Sequence, residues 1–189
     1  MRLIITRHGR TIENVQRQVQ GHSPGTLSDE GKTQAEKLGS RLMSEKIAAI
    51  FSSDLKRASD TAIILAKYHP DAVFCLVKEL RERDYASLVG KTWNEVDWKN
   101  IPADVETPVE MEKRVKKIID EIFERYKDKT VLIVGHGGLN KMILNVIMNR
   151  SIDEWETIEK IPNASVTIFE IDENKKHTTI LLNDIDHLK

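Results

Sequence analysis

The stretch LIITRHG, residues 3–9, decides the fold, because a short aliphatic run in it breaks abruptly into polar, turn-prone residues. An aliphatic run without polar alternation is typical of a strand that is buried on both faces of a parallel sheet. The strand is predicted to stop just before Arg7, which places Arg7, His8 and Gly9 at its carboxyl end. In open α/β sheets, ligands bind at that end of the strands.

The stretch TVLIVGHGG, residues 130–138, has the same organisation further along the chain. Residues 130–134 predict a second aliphatic strand, and a helix is predicted to run from the glycines to Asn149. A histidine between glycines, where an aliphatic strand meets a helix N-terminus, has little reason in packing to be there. The pattern therefore predicts that His136 contacts a ligand at the same sheet edge as His8.

In the rest of the chain, strands alternate with helices. Helices are predicted over residues 31–46, 55–68 and 109–126, and strands over 47–51, 72–77, 165–171 and 178–182. This order predicts an α/β fold, namely a three-layer α/β/α sandwich with a mostly parallel sheet and an antiparallel edge strand. We expect a single domain over residues 1–189. It would contain a loop-rich insertion at about 79–108. Trp93 and Trp98, in this insertion, could form the wall of a pocket or pack as core, and packing is favoured.

Composition and charge exclude several classes of protein. The 189 residues include 29 Lys and Arg against 30 Asp and Glu, a formal net charge of −1, so no overall field favours nucleic acid or an anionic membrane. No apolar run approaches the roughly 18 residues that span a bilayer, and the first residues are too few for the core of a signal peptide. Cys75 is the only cysteine, which excludes an internal disulfide. We expect a buried thiol and a cytoplasmic protein.

Three further polar groups accompany the histidines. Arg57 lies in the first turn of the helix that follows Ser52-Ser53-Asp54, and Glu82 lies in the charged stretch ELRERDY, residues 79–85. Asn14 can donate an amide hydrogen to a phosphate oxygen or cap its own turn. Taken alone, neither Arg57 nor Glu82 indicates a functional site. Arg57 is explained as well by a surface ion pair, and Glu82 by a run of charged residues exposed to solvent. No His, Asp or Glu cluster has a recognised metal-ligand spacing, so neither a metal nor a cofactor is expected.

Taken together, these motifs resemble those of the histidine phosphatase superfamily, the phosphoglycerate mutase-like proteins, over essentially the whole chain. The motifs are Arg7-His8-Gly9, Asn14, Gln20-Gly21, Leu27-Ser28 with Gly31 and Gln34-Ala35, the stretch SSDLKRASDTA at 52–62, Glu82 with Tyr85, and Gly135-His136-Gly137-Gly138. The resemblance is specific because these motifs occur in order and at matching structural positions.

The resemblance implies a role for each of five catalytic residues. His8 would be the nucleophile, Arg7, Arg57 and His136 would hold the phosphoryl group, and Glu82 would be the proton donor. Phosphoryl transfer requires the same parts, an in-line nucleophile and positive donors around the equatorial oxygens. His8 must be neutral to attack, and we expect His136 to be an imidazolium. Substrate contacts are predicted for Asn14, Gly21, Gly137, Tyr85, His22 and Arg10.

The implied activity is that of a metal-independent phosphoric monoester hydrolase that forms a phosphohistidine on His8. Its substrate would be a small phosphorylated molecule, and it would act as a monomer or homodimer. The alternative is a cofactor-dependent phosphoglycerate mutase, but that branch is longer and has a basic pair beyond the tyrosine. Between Tyr85 and Val109 the only basic residues here are Lys91 and Lys99, so hydrolysis is favoured. A protein that binds phosphorylated ligands without turnover is a third hypothesis.

Overall fold

Six strands and five α-helices make up the regular structure of the computed structural model, which describes all of residues 1–189. They are β1 (Arg2–Arg7), α1 (Ile12–Val15), α2 (Asp29–Leu42), β2 (Ile47–Ser53), α3 (Lys56–Ala66), β3 (Val73–Val77), α4 (Pro108–Tyr126), β4 (Thr130–Gly135), α5 (Gly137–Ile147), β5 (Val166–Ile171) and β6 (His177–Asp184). Short 3₁₀ turns occupy Lys78–Leu80, Ala86–Leu88, Ile152–Thr157 and Asp186–Leu188. None of the helices combines the length and apolar character that crossing a bilayer requires.

The strands form one sheet in the order β3-β2-β4-β1-β5-β6. Strands β1 to β4 pair in parallel, whereas β5 is antiparallel to both β1 and β6. The predicted α/β fold with a mostly parallel sheet is therefore confirmed. Because the β5–β6 hairpin turns the chain back again, the reversed strand β5 lies one place in from the edge.

Helices cover both faces of the sheet, and the side chains of β1 alternate between the two resulting cores. Leu3 and Ile5 are buried with α4 and α5, whereas Ile4 is buried on the opposite face with α2 and α3. All three side chains are at most 2% exposed. A strand with a core on each face has no solvent side, which explains why its aliphatic run is not interrupted by polar residues. The predicted three-layer sandwich is confirmed.

The edge strand β3 is less buried than its sequence suggests. Val73, Phe74 and Leu76 are exposed, and Cys75 is only half-buried. The expectation of a buried thiol is therefore wrong. An aliphatic run predicts a strand of a sheet, but it carries no information about whether that strand is central or outermost.

The predicted insertion is built from loops and 3₁₀ turns around a small core. That core consists of Val19, Tyr85, Leu88, Val96 and Val105. A backbone bridge between Gln18 and Thr92 ties the insertion to the segment that follows α1. Trp93 and Trp98 lie outside this core, because they are 44% and 37% exposed. The expectation that the two tryptophans pack as core is wrong.

Candidate active site

The two histidines lie side by side because β1 and β4 are neighbouring parallel strands. Arg7 is opposite Gly135 in the register of the two strands. The next residue of each chain segment is a histidine, and the ring centroids of His8 and His136 are 5.2 Å apart. The carboxyl edge of the sheet thus brings together residues that are far apart in the sequence.

The hydrogen bonding of His8 determines which ring nitrogen is free. Its Nδ1 lies 2.7 Å from the carbonyl oxygen of Gly9, and a carbonyl can only accept, so Nδ1 carries the hydrogen. The neutral ring then has its lone pair on Nε2. Burial, followed by the charges of Arg57 and Arg7, holds the pKa of His8 well below its ordinary value. His8 is therefore a neutral imidazole with an available Nε2.

His136 occupies the N-cap position of α5 and is completely buried. Burial lowers its pKa well below the ordinary value, and the positive charges of Arg57 and Arg7 act in the same direction. Both effects favour the neutral ring, so the imidazolium expected at His136 stays a prediction for the site with a bound phosphate. Neither of its ring nitrogens has a hydrogen-bond partner.

Two guanidiniums flank the histidines, that of Arg57 buried and that of Arg7 partly buried. Arg7 donates from Nη1 to the carbonyl oxygen of Ile161 at 2.7 Å. Arg57, in the first turn of α3, donates from Nη2 to the carbonyl oxygen of Gly21 at 2.8 Å. Burial lowers both pKa values, that of Arg57 to about 10. Arginine is not deprotonated in proteins, so each side chain is positively charged at neutral pH. The Nε atoms of both are buried without a partner.

The carboxylate of Glu82 is held against the first turn of α5. It accepts hydrogen bonds from the backbone nitrogens of Gly138 at 2.9 Å, Leu139 at 2.8 Å and Arg83 at 2.9 Å. A helix N-terminus attracts negative charge, which favours this position. The close approach requires a glycine, because a Cβ at Gly138 would lie 2.7 Å from Oε1 of Glu82.

These groups surround a cavity of about 1070 Å³. Arg7, His8, Arg57 and Glu82 line it, and the buried ring of His136, which is not among the lining residues, packs edge-on beside that of His8. A buried donor without a partner costs about 1–3 kcal/mol, yet this site leaves unpaired nitrogens on Arg7, Arg57 and His136. Converging unpaired donors are the chemistry of an anion site. No group of three His, Cys, Asp or Glu side chains is arranged to hold a metal ion.

The residues predicted to contact substrate separate into two groups. Those that line the cavity are Arg10, Asn14, Gly21, Tyr85 and Gly137. The ring of His22 is directed elsewhere, with Nε2 at 2.9 Å from the carbonyl oxygen of Glu82 and Nδ1 at 3.4 Å from the carboxylate of Asp84. Arg10 is half-exposed and forms an ion pair with Glu30 at 2.9 Å.

The structure adds residues that sequence reasoning missed. Asn163 donates to the carbonyl oxygen of His8 at 2.9 Å and to Oδ1 of Asn14 at 3.2 Å, which joins the loop before β5 to the end of β1. Thr61 accepts from the backbone nitrogen of Gly9 at 3.1 Å. Basic side chains outnumber acidic ones in the cavity: Arg7, Arg10, Arg17, Arg57, Arg83, Lys141 and Lys160 against Glu30, Glu82 and Glu156. The cavity is therefore suited to an anionic ligand.

Fold and side chains together define the class of site, an anion pocket of two guanidiniums and two imidazoles at the carboxyl edge of an α/β sheet. The chain belongs to the histidine phosphatase superfamily (branch 1), whose family model matches residues 3–184. It is 30% identical to Phosphoglycerate mutase-like protein 4 of Arabidopsis thaliana, over 99% of this chain and 86% of that protein. It is also 30% identical to the Metal-independent phosphoserine phosphatase of the same plant, over 98% of this chain and 82% of that protein. The expected family is confirmed.

Solved structures agree with this assignment over nearly the whole length. Bacillus stearothermophilus YhfR matches with a TM-score of 0.92 and 28% identity, covering 100% of this chain and 99% of that one. A mycobacterial glucosyl-3-phosphoglycerate phosphatase in complex with VO3 matches with a TM-score of 0.89 and 25% identity, covering 97% of this chain and 99% of that one. The architecture is therefore that of phosphoglycerate mutase-like proteins.

Proposed function

We propose that this histidine-type phosphatase hydrolyses small phosphate monoesters through a phosphohistidine on His8. Nε2 of His8 attacks phosphorus, and the bond between phosphorus and the ester oxygen breaks. The departing oxygen takes a proton from Glu82. Water then gives a proton back to Glu82 and attacks phosphorus, which breaks the phosphorus–nitrogen bond and releases inorganic phosphate.

The observation that carries this proposal is the free Nε2 of His8 among unpaired donors. The hydrogen bond from Nδ1 to Gly9 leaves Nε2 as the only ring nitrogen able to attack. The unpaired Nε atoms of Arg7 and Arg57 are available to hold the equatorial oxygens, where charge gathers during transfer. A phosphate dianion beside His136 would raise the pKa of this imidazole and let it donate as well.

Hydrolysis rather than mutase chemistry is supported by two observations. The segment after Tyr85 contains only Lys91 and Lys99 as basic residues before α4, so the basic pair of the mutase branch has no counterpart there. Two of the relatives described above are named as phosphatases. These names also support a small phosphorylated substrate.

A further part of the proposal concerns the setting in which the enzyme works. We place residues 1–189 in one domain, because both hydrophobic cores share the same sheet. The single, half-buried Cys75 is compatible with a reducing cytoplasm. Monomer and homodimer both agree with the fold. Sedimentation of the purified protein distinguishes them.

Replacement of His8 with Ala tests the nucleophile. Phosphate release from a monoester, assayed in the presence of a chelator, should fall by about three orders of magnitude or more. The wild-type enzyme, quenched during turnover, should carry an acid-labile and alkali-stable phosphate that the variant lacks. His177→Ala, on β6, is the matched histidine control. Phosphate release by the His8 variant at the wild-type rate would remove His8 from the mechanism.

Replacement of Glu82 with Gln tests the proton donor. Because an alkoxide needs the proton far more than a nitrophenolate does, alkyl phosphates should slow much more than nitrophenyl phosphate. Equal slowing of the two esters would argue against this role. The same assays with 3-phosphoglycerate separate the two activities: a phosphatase releases phosphate, whereas a mutase forms 2-phosphoglycerate.

A further inference from the structure

One wall of the active-site cavity is aromatic. All three tryptophans of the chain, Trp93, Trp98 and Trp155, line it together with Tyr85. Trp155 is buried, but Trp93 and Trp98 keep 44% and 37% of their surface exposed. Exposed tryptophan surface that faces a cavity is unfavourable in water and favours a ligand that covers it.

The two exposed indoles are fixed in place rather than free to rotate. Their rings stack with centroids 4.5 Å apart and an interplanar angle of 21°. The indole nitrogen of Trp98 donates to the carbonyl oxygen of Trp93 at 2.9 Å, and the backbone nitrogen of Trp93 donates to the carbonyl oxygen of Arg17 at 3.0 Å. The edge of Tyr85 contacts both, with centroids 6.0 and 5.9 Å from Trp93 and Trp98. A flat surface is thus organised before any ligand arrives.

Tyr85 connects this wall to the phosphate-binding residues. It follows Glu82 closely in sequence, and its backbone packs against Gly21, where a Cβ would lie 3.1 Å from the nitrogen of Tyr85. The carbonyl of Gly21 in turn binds Arg57. Glu82, Tyr85 and both indoles line the same cavity, so a group attached to the ester oxygen has access to the aromatic wall.

The size of the cavity suits a leaving group larger than a glycerate or serine. At about 1070 Å³ it is slightly larger than the range of roughly 300–1,000 Å³ found for sites that bind drug-sized ligands. The phosphoryl group occupies only the part around His8, Arg7 and Arg57. The remainder extends to Trp93 and Trp98.

We propose that Trp93 and Trp98 bind the leaving group, and that the substrate is a phosphate monoester with a flat unsaturated ring, of the size of a nucleoside 5′-monophosphate. This inference rests on the proposed hydrolase activity of the same site. Stacking of a base on an aromatic side chain contributes about 1–3 kcal/mol. The energy corresponds to a factor of about 5 to 150 in kcat/KM.

The test compares adenosine 5′-monophosphate with ribose 5-phosphate, because both release the same primary alkoxide and differ in the base. We expect kcat/KM to be about 5- to 150-fold higher for the nucleotide, mainly through KM. Trp93→Ala and Trp98→Ala should bring the ratio of the two kcat/KM values towards one, and Trp98→Phe should retain part of it. Phe74→Ala, an exposed aromatic on β3 outside the cavity, is the matched control and should keep the wild-type ratio.

Two results would overturn the proposal: a ratio near one in the wild-type enzyme, or a wild-type ratio preserved in both alanine variants. Failure of the hydrolase activity has a different signature, since neither ester would then release phosphate. In that case the aromatic subsite is tested by comparing the Kd values of the two esters. Titration of the intrinsic tryptophan fluorescence of His8→Ala protein should give a lower Kd for the nucleotide, and equal Kd values would overturn the aromatic subsite.

Discussion

His8 and His136 are buried imidazoles whose pKa values lie well below 6.5, mainly because burial penalises the charged form. In the unfolded chain both rings are exposed and bind protons below about pH 6.5, while the folded protein does not. Above about pH 6.5 the two rings therefore do not reduce the free energy of unfolding. As the pH falls from there towards the lowered pKa values, the free energy of unfolding decreases.

We therefore expect the free energy of unfolding to fall by about 1.4 kcal/mol per pH unit for each of the two rings. Urea unfolding in phosphate-free buffer, between about pH 7.5 and about pH 5, measures this slope above the range where most carboxylates titrate. His136→Asn should lower the slope by about 1.4 kcal/mol per pH unit, the contribution of one ring. An identical slope in the His136 variant would contradict the assignment.

At the scale of single residues, those with a local sequence signal could be predicted. His8 and His136 directly follow aliphatic strands, so strand prediction alone locates them at the sheet edge. Asn163 has no such signal, because only the pairing of β5 with β1 brings its loop to the carbonyl of His8. The charge of His136 could not be predicted from its motif, because it depends on depth below the surface, which the motif does not encode.

At the scale of elements, α4 positions the loop that carries Glu82. The guanidinium of Arg114 donates to the carbonyl oxygens of Glu79, Arg81 and Glu82 at 2.6, 2.8 and 3.1 Å. It also forms an ion pair with Glu106 at 2.6 Å. One side chain of the helix thus fixes the course of the loop through its backbone.

Replacement of Arg114 with Met should release this loop and lower kcat by about 10- to 100-fold, since small displacements of catalytic groups have effects of that size. Alkyl phosphates should be affected more than nitrophenyl phosphate, and in a Glu82→Gln background the change should have little further effect. Lys cannot reproduce the planar set of donors and should not restore activity. Lys113→Met, exposed on the same helix, is the control. Full additivity of the Arg114 and Glu82 effects would show that Arg114 acts elsewhere.

The periodicity of the sequence predicted the interiors of the helices and strands correctly. It did not predict where they end or how residues 79–108 fold. Helix α2 begins at Asp29 rather than at Gly31, because Oγ of Ser28 caps it by accepting from the nitrogen of Gly31 at 3.0 Å. Residues 79–108 lack a period, so nothing in the pattern indicated that Trp93 and Trp98 would face the cavity. Their position follows from backbone pairing with the segment around Gln18.

At the scale of the whole molecule, the anion pocket joins segments from β1, α3, the Glu82 loop and the start of α5. A ligand that binds only the folded state stabilises it by about 2.7 kcal/mol at 100 times its Kd. That corresponds to a rise in Tm of about 5–10 °C for a protein of this size. Inorganic phosphate or vanadate should produce this rise, whereas chloride at equal ionic strength should not.

Scanning calorimetry of two arginine variants checks the origin of the effect. Arg7→Met should lose most of the phosphate-dependent rise in Tm, because Arg7 lines the pocket with an unpaired Nε. Arg41→Met, at an exposed position on α2, should retain it. Equal rises in the two variants would locate phosphate binding outside the pocket.

The order of the strands also has a consequence for protein synthesis. Strand β1 leaves the ribosome first, yet its two neighbours in the sheet begin only at Thr130 and Val166. At about 5–20 residues per second, roughly 6 to 25 seconds pass before the first of them has been translated. A nascent chain that stops short of Thr130 contains His8 but has nothing to pair β1 with. The two histidines of the pocket therefore come together only after β4 has been made.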